Sequence, residues 1–540
     1  MLKMVDGTGI IGVDMICPLG VSTPQPPNYD RVEMEGVGSL MLPNSLKAPL
    51  ERLESLGNSV QGENPAPDNL QEIKSAGRKS KNLFDITKLK KGAGANYPTE
   101  IELVGETLIA KKDGGTANQM TFEIELENLE PNTTYEFTTK QTICKRKDSD
   151  TEKAGTIFSF RAYKNESQIE NKGNVFTTGE SESDIYKIIF SVIAGDFGSL
   201  EYVKFEQPML SHIKGAAYEP YSDKCLFDVQ VTGKNQLSNN PNDWQIGKGI
   251  SRSTYPNDAI KIYSVINSAV NVINLKSSNA YSFVNNSGEI VIKRMIERDS
   301  NGKGIKDHNI RSNKYTFVTN QNTSNIILQV EKIDGTELLS SDIESIKIML
   351  VEGEVNEPTI YEPYTEQTMQ IALDEPLRGI GEYKDTITKD GVVRKIKRIV
   401  FDGSEDEEWR LDRRFENHIN FALVIKGAIT VNTGIRTMMD KFKYVRSIWN
   451  NDSPGQDMFG AKLRINMPKT LATDLQTFKT WLSQNPLTVD YVLAEPVTEP
   501  LPESVQAQLQ ALHSENGVTH VFVDSGEVPC GIKLTYRKEK

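Results

Sequence analysis

The chain has 540 residues, 37% of them hydrophobic and 8% aromatic, and 74 Asp and Glu outnumber 62 Lys and Arg for a formal net charge of −12. At about 100 to 200 residues per domain, that length predicts about three to five domains. The acidic total argues against nucleic acid as a partner, and no run of about 18 apolar residues exists to insert in a membrane.

The negative charge reads as solubility, since no block of like charge is long enough to be a tail. Residues 1–17 hold apolar pairs broken by Asp6, Gly7 and Asp14, without a basic run and an apolar core, so no secretory signal is expected. Cys17, Cys144, Cys225 and Cys530 share no close spacing. That pattern argues against zinc and a disulfide framework, and for synthesis in a reducing cytoplasm.

In chain order, residues 1–78 are rich in Gly and Pro and read as an N-terminal attachment arm of short extended pieces. Leu46, Leu50, Leu53 and Leu56 recur at three and four residues with Gly57 as a stop, which predicts one helix, either docked on its neighbour or forming an oligomer seam. Gly62 to Asn69, with Pro65 and Pro67, reads as a linker.

Residues 79–228 and 229–366 read as two copies of one domain. Tyr218-Glu219-Pro220-Tyr221 returns as Tyr361-Glu362-Pro363-Tyr364, 143 residues later (361 − 218). Lys81-Asn82-Leu83, Tyr135-Glu136-Phe137, Val175-Phe176-Thr177-Thr178 and Pro208-Met209-Leu210 are matched in the same order by Lys234-Asn235-Gln236-Leu237, Tyr281-Ser282-Phe283, Thr316-Phe317-Val318-Thr319 and Ile348-Met349-Leu350. Each copy shows short, evenly spaced strand signals with turns between them, such as Asp113-Gly114-Gly115 and Pro131-Asn132, the pattern of a β-sandwich or jelly roll. Tyr135 and Phe137 share a face that should be core. Closure of each copy should bring Tyr-Glu-Pro-Tyr near the opening Lys-Asn.

Residues 367–414 read as a β-hairpin connector turning at Asp390-Gly391, with Val393, Ile396 and Ile399 alternating poorly enough to require a bulge or a twisted edge. Residues 415–540 mix strands with two helices, one marked by Leu471, Leu475, Phe478 and Leu482, the other by Val505, Leu509 and Leu512 after Pro502. The fold class is therefore mainly β: tandem β-sandwich (jelly-roll) domains with an extended N-terminal arm and a C-terminal α+β domain.

Lys81-Asn82-Leu83-Phe84-Asp85 opening a unit, Pro208-Met209-Leu210 or Ile348-Met349-Leu350 near its end and Tyr-Glu-Pro-Tyr closing it resemble the carbohydrate-binding-module-like jelly rolls in tail and baseplate proteins of phages and prophages of Gram-positive bacteria. Leu373-Asp374-Glu375-Pro376-Leu377-Arg378, Asp390-Gly391-Val392-Val393, Val400-Phe401-Asp402-Gly403 and Tyr491-Val492-Leu493-Ala494-Glu495-Pro496 are similar to the segments downstream of such modules in those proteins, so the resemblance covers roughly residues 64–540. It implies a structural component of a tail baseplate or tail fibre, located in the virion and made in the host cytoplasm. The implied partners are other tail or baseplate proteins, two further copies in a trimer, and a host cell-surface polysaccharide.

Chemistry is sparse. His212, His308, His418, His513 and His520 fall in no metal or nucleophile pattern and read as surface or satisfied core residues, so no catalytic residue, metal or cofactor is expected. Asp402, Glu405, Asp406, Glu407 and Glu408 read as a charged turn against a glycosidase pair, which leaves a wall hydrolase as a weaker alternative. Asp299-Ser300-Asn301-Gly302-Lys303-Gly304 reads as a turn against a calcium loop. Stacking on a sugar needs exposed aromatic faces beside amides and carboxylates. Trp244, Tyr255 and Tyr263, with Asn239, Asn240, Asn242 and Asp243 close by, make the second copy the expected saccharide site, against a reading in which they are core and loop.

Overall fold

The structure is a computed structural model. It describes the backbone except at residues 1, 7–8, 15–28, 38, 46–49, 70, 93–95, 113–118, 127–128, 149, 155–157, 182–183, 194–198, 213–217, 247–249, 255–259, 265–267, 276, 300–302, 311, 356–359, 432–433, 516 and 540. It also describes the side chains except those of residues before 50, of 51, 171–172, 242, 250–254, 260–264, 274, 517–518 and 536–539. The expected turn at Asp113-Gly114-Gly115 lies outside the described residues. Strands dominate, and residues 77–226 with 372–376 form one compact unit while 1–76, 227–371 and 377–540 form another.

The first unit is a sandwich around an aromatic core. One sheet runs Gln119–Leu126, Tyr186–Ile193, Phe158–Lys164, Ser167–Gln168; a second runs Asn171–Lys172, Val175–Thr177, Thr134–Thr138, Met209–Ser211. A third orders Glu152–Ala154, Gln141–Arg146, Leu200–Glu206, Thr107–Lys111, Glu100–Val104. Period-two alternation sends Phe122, Ile188 and Phe190 inward to meet Tyr135 and Phe137, and all five are buried as the alternation requires. Phe122 stacks on Phe190 with centroids 4.9 Å apart, and Phe137 lies 5.2 Å from the same ring.

Residues 227–371 repeat two of those sheets. Ser268–Asn274, Asn325–Lys332, Ile290–Arg298 and Gly304–His308 take the order of the first sheet, with Trp244–Ile246 added at one edge. Lys314–Val318, Ala280–Asn285 and Ile348–Glu352 take the order of the second. The repeated tripeptides occupy equivalent places, since Tyr281 pairs with Phe317 as Tyr135 pairs with Phe176.

One asparagine closes each copy. Asn82 accepts through Oδ1 from the amides of Phe84 (2.9 Å) and Leu210 (3.0 Å) and donates through Nδ2 to the carbonyls of Pro208 and Glu219, both at 3.0 Å. Asn235 does the same with Leu237 (3.0 Å), Leu350 (3.1 Å), Ile348 (3.5 Å) and Glu362 (3.1 Å). Four buried backbone groups that no ladder reaches are thereby paired, which is why an amide, with two acceptor and two donor sites, stands there. The expected meeting of Lys-Asn with Tyr-Glu-Pro-Tyr is present in both.

The N-terminal residues form no free-standing arm. Tyr29–Val37 pairs along its whole length with Gly531–Glu539, and Leu50–Leu56 pairs with that strand's other edge. The nine-stranded sheet continues from Leu50–Leu56 through Thr386–Thr388, Gly391–Phe401 and Leu487–Glu499 to Thr437–Met439. Ser39–Ser45 joins a second sheet through Gly517–Asp524. A segment too poor in apolar residues to fold alone is ordered by completing ladders supplied from the other end of the chain.

The predicted helix is a strand. Leu50–Leu56 lies between two strands whose ladder bonds override its leucine spacing, and a bulge at the register shift by Thr535 and Tyr536 lets Leu50 and Leu53 both be buried. Gly57 serves as a close backbone approach and not as a helix stop, because a Cβ there would collide with the Arg378 carbonyl oxygen. The 62–69 segment docks at the C-terminal region, where Lys443 donates to the Glu63 carbonyl at 3.4 Å.

The connector hairpin forms, one residue out of phase: Thr388 pairs with Gly391, so Lys389 and Asp390 make the turn. The bulge falls between Arg394 and Ile396. Buried Asp385 explains it, accepting from the freed amides of Lys395 (2.7 Å) and Ile396 (3.0 Å). Beyond it, Arg410–Arg414, His418–Val424, Lys462–Pro468 and Gly455–Phe459 form a sheet whose inner face packs on helix Leu475–Gln484. Asp474 caps that helix by accepting from the Thr477 amide at 2.9 Å, and Phe478 stacks on Phe421 at 4.2 Å. Leu471 precedes the helix and is exposed. The second expected helix is Glu503–Ala511, following Pro502.

Candidate functional site

The expected saccharide residues of the second copy do not assemble an aromatic face among the described residues. Trp244 is 6% exposed, packs in the core with Leu237 and Ile343, and donates its indole N–H to the Ser238 carbonyl at 2.8 Å. Its strand is an edge strand whose inward position goes to the largest apolar ring, so no indole face is left for a sugar. Asn239 donates to the Glu344 carbonyl at 3.1 Å, and the Asp243 amide donates to the Asn240 carbonyl at 3.0 Å, which makes this stretch a self-bonded turn. Tyr255 lies outside the described residues. Tyr263 pairs with Ser251 in a hairpin, and its side chain lies outside them too.

A polar and aromatic face exists instead on the first copy. Outward positions of the first sheet align in rows: Glu123 beside Ile189 beside Arg161, Glu125 beside Lys187 beside Tyr163, and Thr121 beside Ser191 beside Ser159. Tyr97, from the loop before strand Glu100–Val104, reaches over this surface and donates its hydroxyl to Glu123 at 2.8 Å. Lys90 donates to the other carboxylate oxygen at 3.3 Å and lies 5.3 Å from the Tyr97 ring. Lys187 stands 3.8 Å from Glu123, 2.7 Å from Glu166 and 5.6 Å from the Tyr163 ring.

Burial pushes the Glu123 carboxyl up, but the Tyr97 hydroxyl, Lys90 and Lys187 outweigh it and hold the group below the usual carboxylate range. Burial, then the hydrogen bond to Glu123, pushes the Tyr97 phenol up. The site thus presents a fixed anion, two ammonium groups, two half-buried phenol rings and a Thr121–Ser191 hydroxyl pair at 3.0 Å. Donors, acceptors and rings in that mixture suit a polyhydroxylated ligand. No short motif marks these residues; they converge because three non-adjacent strands and a loop are brought together.

Other expected positions have structural partners. His308 is buried, its Nε2 2.6 Å from Glu297 and its Nδ1 2.7 Å from the Tyr315 hydroxyl, while Glu297 also accepts from the Asn320 amide and the Thr323 hydroxyl. Every lone pair that network needs is used inside the sandwich. Glu407 accepts from the amides of Asp402 and Gly403 and from the Trp409 indole, as a turn-forming acid does. Asp299 accepts from the Lys303 amide at 2.8 Å across its turn. Among the described residues no three His, Cys, Asp or Glu side chains converge as metal ligands, and Cys144, Cys225 and Cys530 form no disulfide with one another.

No family model and no curated protein matches this chain. Among solved structures, one match is the single-particle cryo-EM structure of arabinofuranosyltransferase AftD from Mycobacteria, with 8% identity and a TM-score of 0.13 over 79% of this chain. The chain spans 32% of that protein's length, and a likeness at this level carries no argument.

Proposed function

We propose that the chain is a structural component of a phage or phage-like tail, in the baseplate or a tail fibre, that contributes to attachment at the host cell surface. The observation that carries this reading is the duplicated sandwich, closed in both copies by the same asparagine, within the motif string that resembles such virion parts. In this reading the sandwiches are presenting modules, other tail or baseplate subunits are partners, and symmetric self-association, as a trimer, completes the assembly. No bond-breaking step is assigned to the chain. Antibody labelling of purified particles and sizing of the purified chain test it. Label at the tail and a stable oligomer are expected, while a monomer that never joins particles overturns it.

A second reading, saccharide binding, is favoured by one observation, the Tyr97–Glu123–Lys187 face of the first copy. Tyr97→Ala together with Tyr163→Ala should lower adsorption of the chain to host cell walls about tenfold or more, the scale of two lost ring contacts. Unchanged adsorption with an intact fold removes this site.

A further inference from the structure

We infer that the outer face of the C-terminal four-stranded sheet binds an anionic glycan, a saccharide or polyol polymer bearing phosphodiester or carboxylate groups. The site is separate from the first-copy face, and the inference holds whether or not the chain belongs to a tail particle.

Cations and rings alternate along this face. Arg413 lies with its guanidinium carbon 4.9 Å from the Phe415 ring centroid and 5.3 Å from that of Trp449; Arg464 lies 5.9 Å from Trp449 and 5.4 Å from Phe459. Lys462 adds a third cation 5.5 Å from Trp449. A bulge between Leu411 and Arg413 aligns Arg413 beside Asn420, the pair neighbour of Asn466. Trp449 is fixed from behind: Ile448 is fully buried, Asn466 donates to its carbonyl at 3.2 Å, and Arg413 donates to the Trp449 carbonyl at 2.8 Å.

Not all of that charge is committed. Arg464 is held bidentately by Asp457 at 2.6 and 2.7 Å, and Lys462 by Asp412 at 2.7 Å. Among the described residues Arg413 is exposed, donating to the Trp449 carbonyl and facing no carboxylate, and Arg410, in the row of Arg464, is exposed without a hydrogen-bond or ion-pair partner. The face therefore keeps a local excess of two positive charges on a chain whose total is −12. Beside them Phe459 is 57% exposed, in register with Lys462 and with exposed Val424. Guanidinium groups that no carboxylate neutralises take planar oxyanions, and an exposed ring takes the apolar face of a sugar or polyol. A single-stranded nucleic acid needs successive open rings, whereas here the Trp449 ring carries three cations and the Phe415 and Phe459 rings one each.

The test uses the full chain with poly(glycerol phosphate), polygalacturonate, neutral dextran and a single-stranded DNA oligonucleotide as probes, at low and raised salt. Poly(glycerol phosphate) or polygalacturonate should bind, more weakly as salt rises, and dextran should not. Which of the two polymers binds identifies the anion. Arg410→Glu should weaken binding by about three- to fivefold, the scale of one exposed ion pair, with an unchanged melting temperature. Arg413→Glu should weaken it further. Absence of binding to both polymers, equal binding by the folded Arg410→Glu chain, or tighter binding of the oligonucleotide than of either glycan overturns the inference.

Discussion

In the first sandwich the glutamate of the Tyr-Glu-Pro-Tyr segment, Glu219, is buried against Arg78, with bonds of 2.9 and 2.6 Å, and also accepts from the Lys81 amide. In the second its counterpart, Glu362, is 38% exposed and among the described residues its carboxylate meets the flexible ammonium of Lys234 at 3.0 Å. The backbone closure is the same while its electrostatic brace differs. The cores differ likewise, aromatic around Phe122, Phe137 and Phe190 in one, and largely aliphatic around Ile292, Leu328 and Leu350 in the other. So do the outward faces of the matched sheets: Glu123 and Lys187 in the first, buried Val270, Ile296 and Ile327 in the second. A duplicated frame keeps the contacts that close its backbone and leaves its surfaces free to diverge.

The largest expected effect tests what is shared. Asn82→Ala and Asn235→Ala each strand four buried backbone groups, so each should destabilise its own sandwich by about 4 kcal/mol. Loss of hydrogen-exchange protection at the Leu210 amide in one case and the Leu350 amide in the other checks this, and protection that survives would show that the clamp is not what holds the ends.

The brace should separate the copies. Glu219→Gln removes one partner of a buried pair and should cost about 3 kcal/mol. Glu362→Gln removes an exposed pair and should cost under about 1 kcal/mol. Equal losses in denaturant unfolding would erase the distinction.

Acid should expose the same difference. Burial raises the Glu219 carboxyl, but Arg78 and the Lys81 amide bring it below the usual range, so its folded pKa lies under its unfolded one. Its stabilisation is then complete above about pH 5 and drains as pH falls through the folded value. Burial likewise raises Glu297, and its His308, Thr323 and Asn320 partners bring it below the usual range in the second copy. Glu219→Gln should therefore flatten the acid dependence of the first sandwich and leave that of the second.

The smallest effect concerns a shared strand-end bond. Thr178 accepts from the Thr133 amide at 2.8 Å and Thr319 from the Asn279 amide at 3.0 Å. Thr178→Val and Thr319→Val should each cost about 1 kcal/mol, read as matched shifts in unfolding midpoint.

Much of the fold was legible in the residues themselves. Short strand signals between turns identify a mainly-β chain, the repeated Tyr-Glu-Pro-Tyr locates a duplication whose ends meet, and Phe478, Leu482 and Leu509 mark two helices. All of these depend on spacing within a few residues or on a verbatim repeat. The candidate face was not legible, because Glu123, Tyr163 and Lys187 are neighbours only through strand pairing and Tyr97 reaches them from a loop. Trp244 misled for a related reason, since a ring suited to stacking on a sugar is equally suited to filling a core.

By itself, then, the sequence determined the strand-rich class, the two copies and the meeting of each copy's ends, since strand periodicity and a verbatim repeat are written in the residues themselves. Only tertiary structure decided that Leu50–Leu56 is a strand and not a helix, that the N-terminal strands pair with the chain's last ones, and that charge and rings gather on Glu123 and around Trp449. Those outcomes are set by ladder bonds, burial and side-chain contacts between residues tens to hundreds of positions apart, which no local pattern encodes.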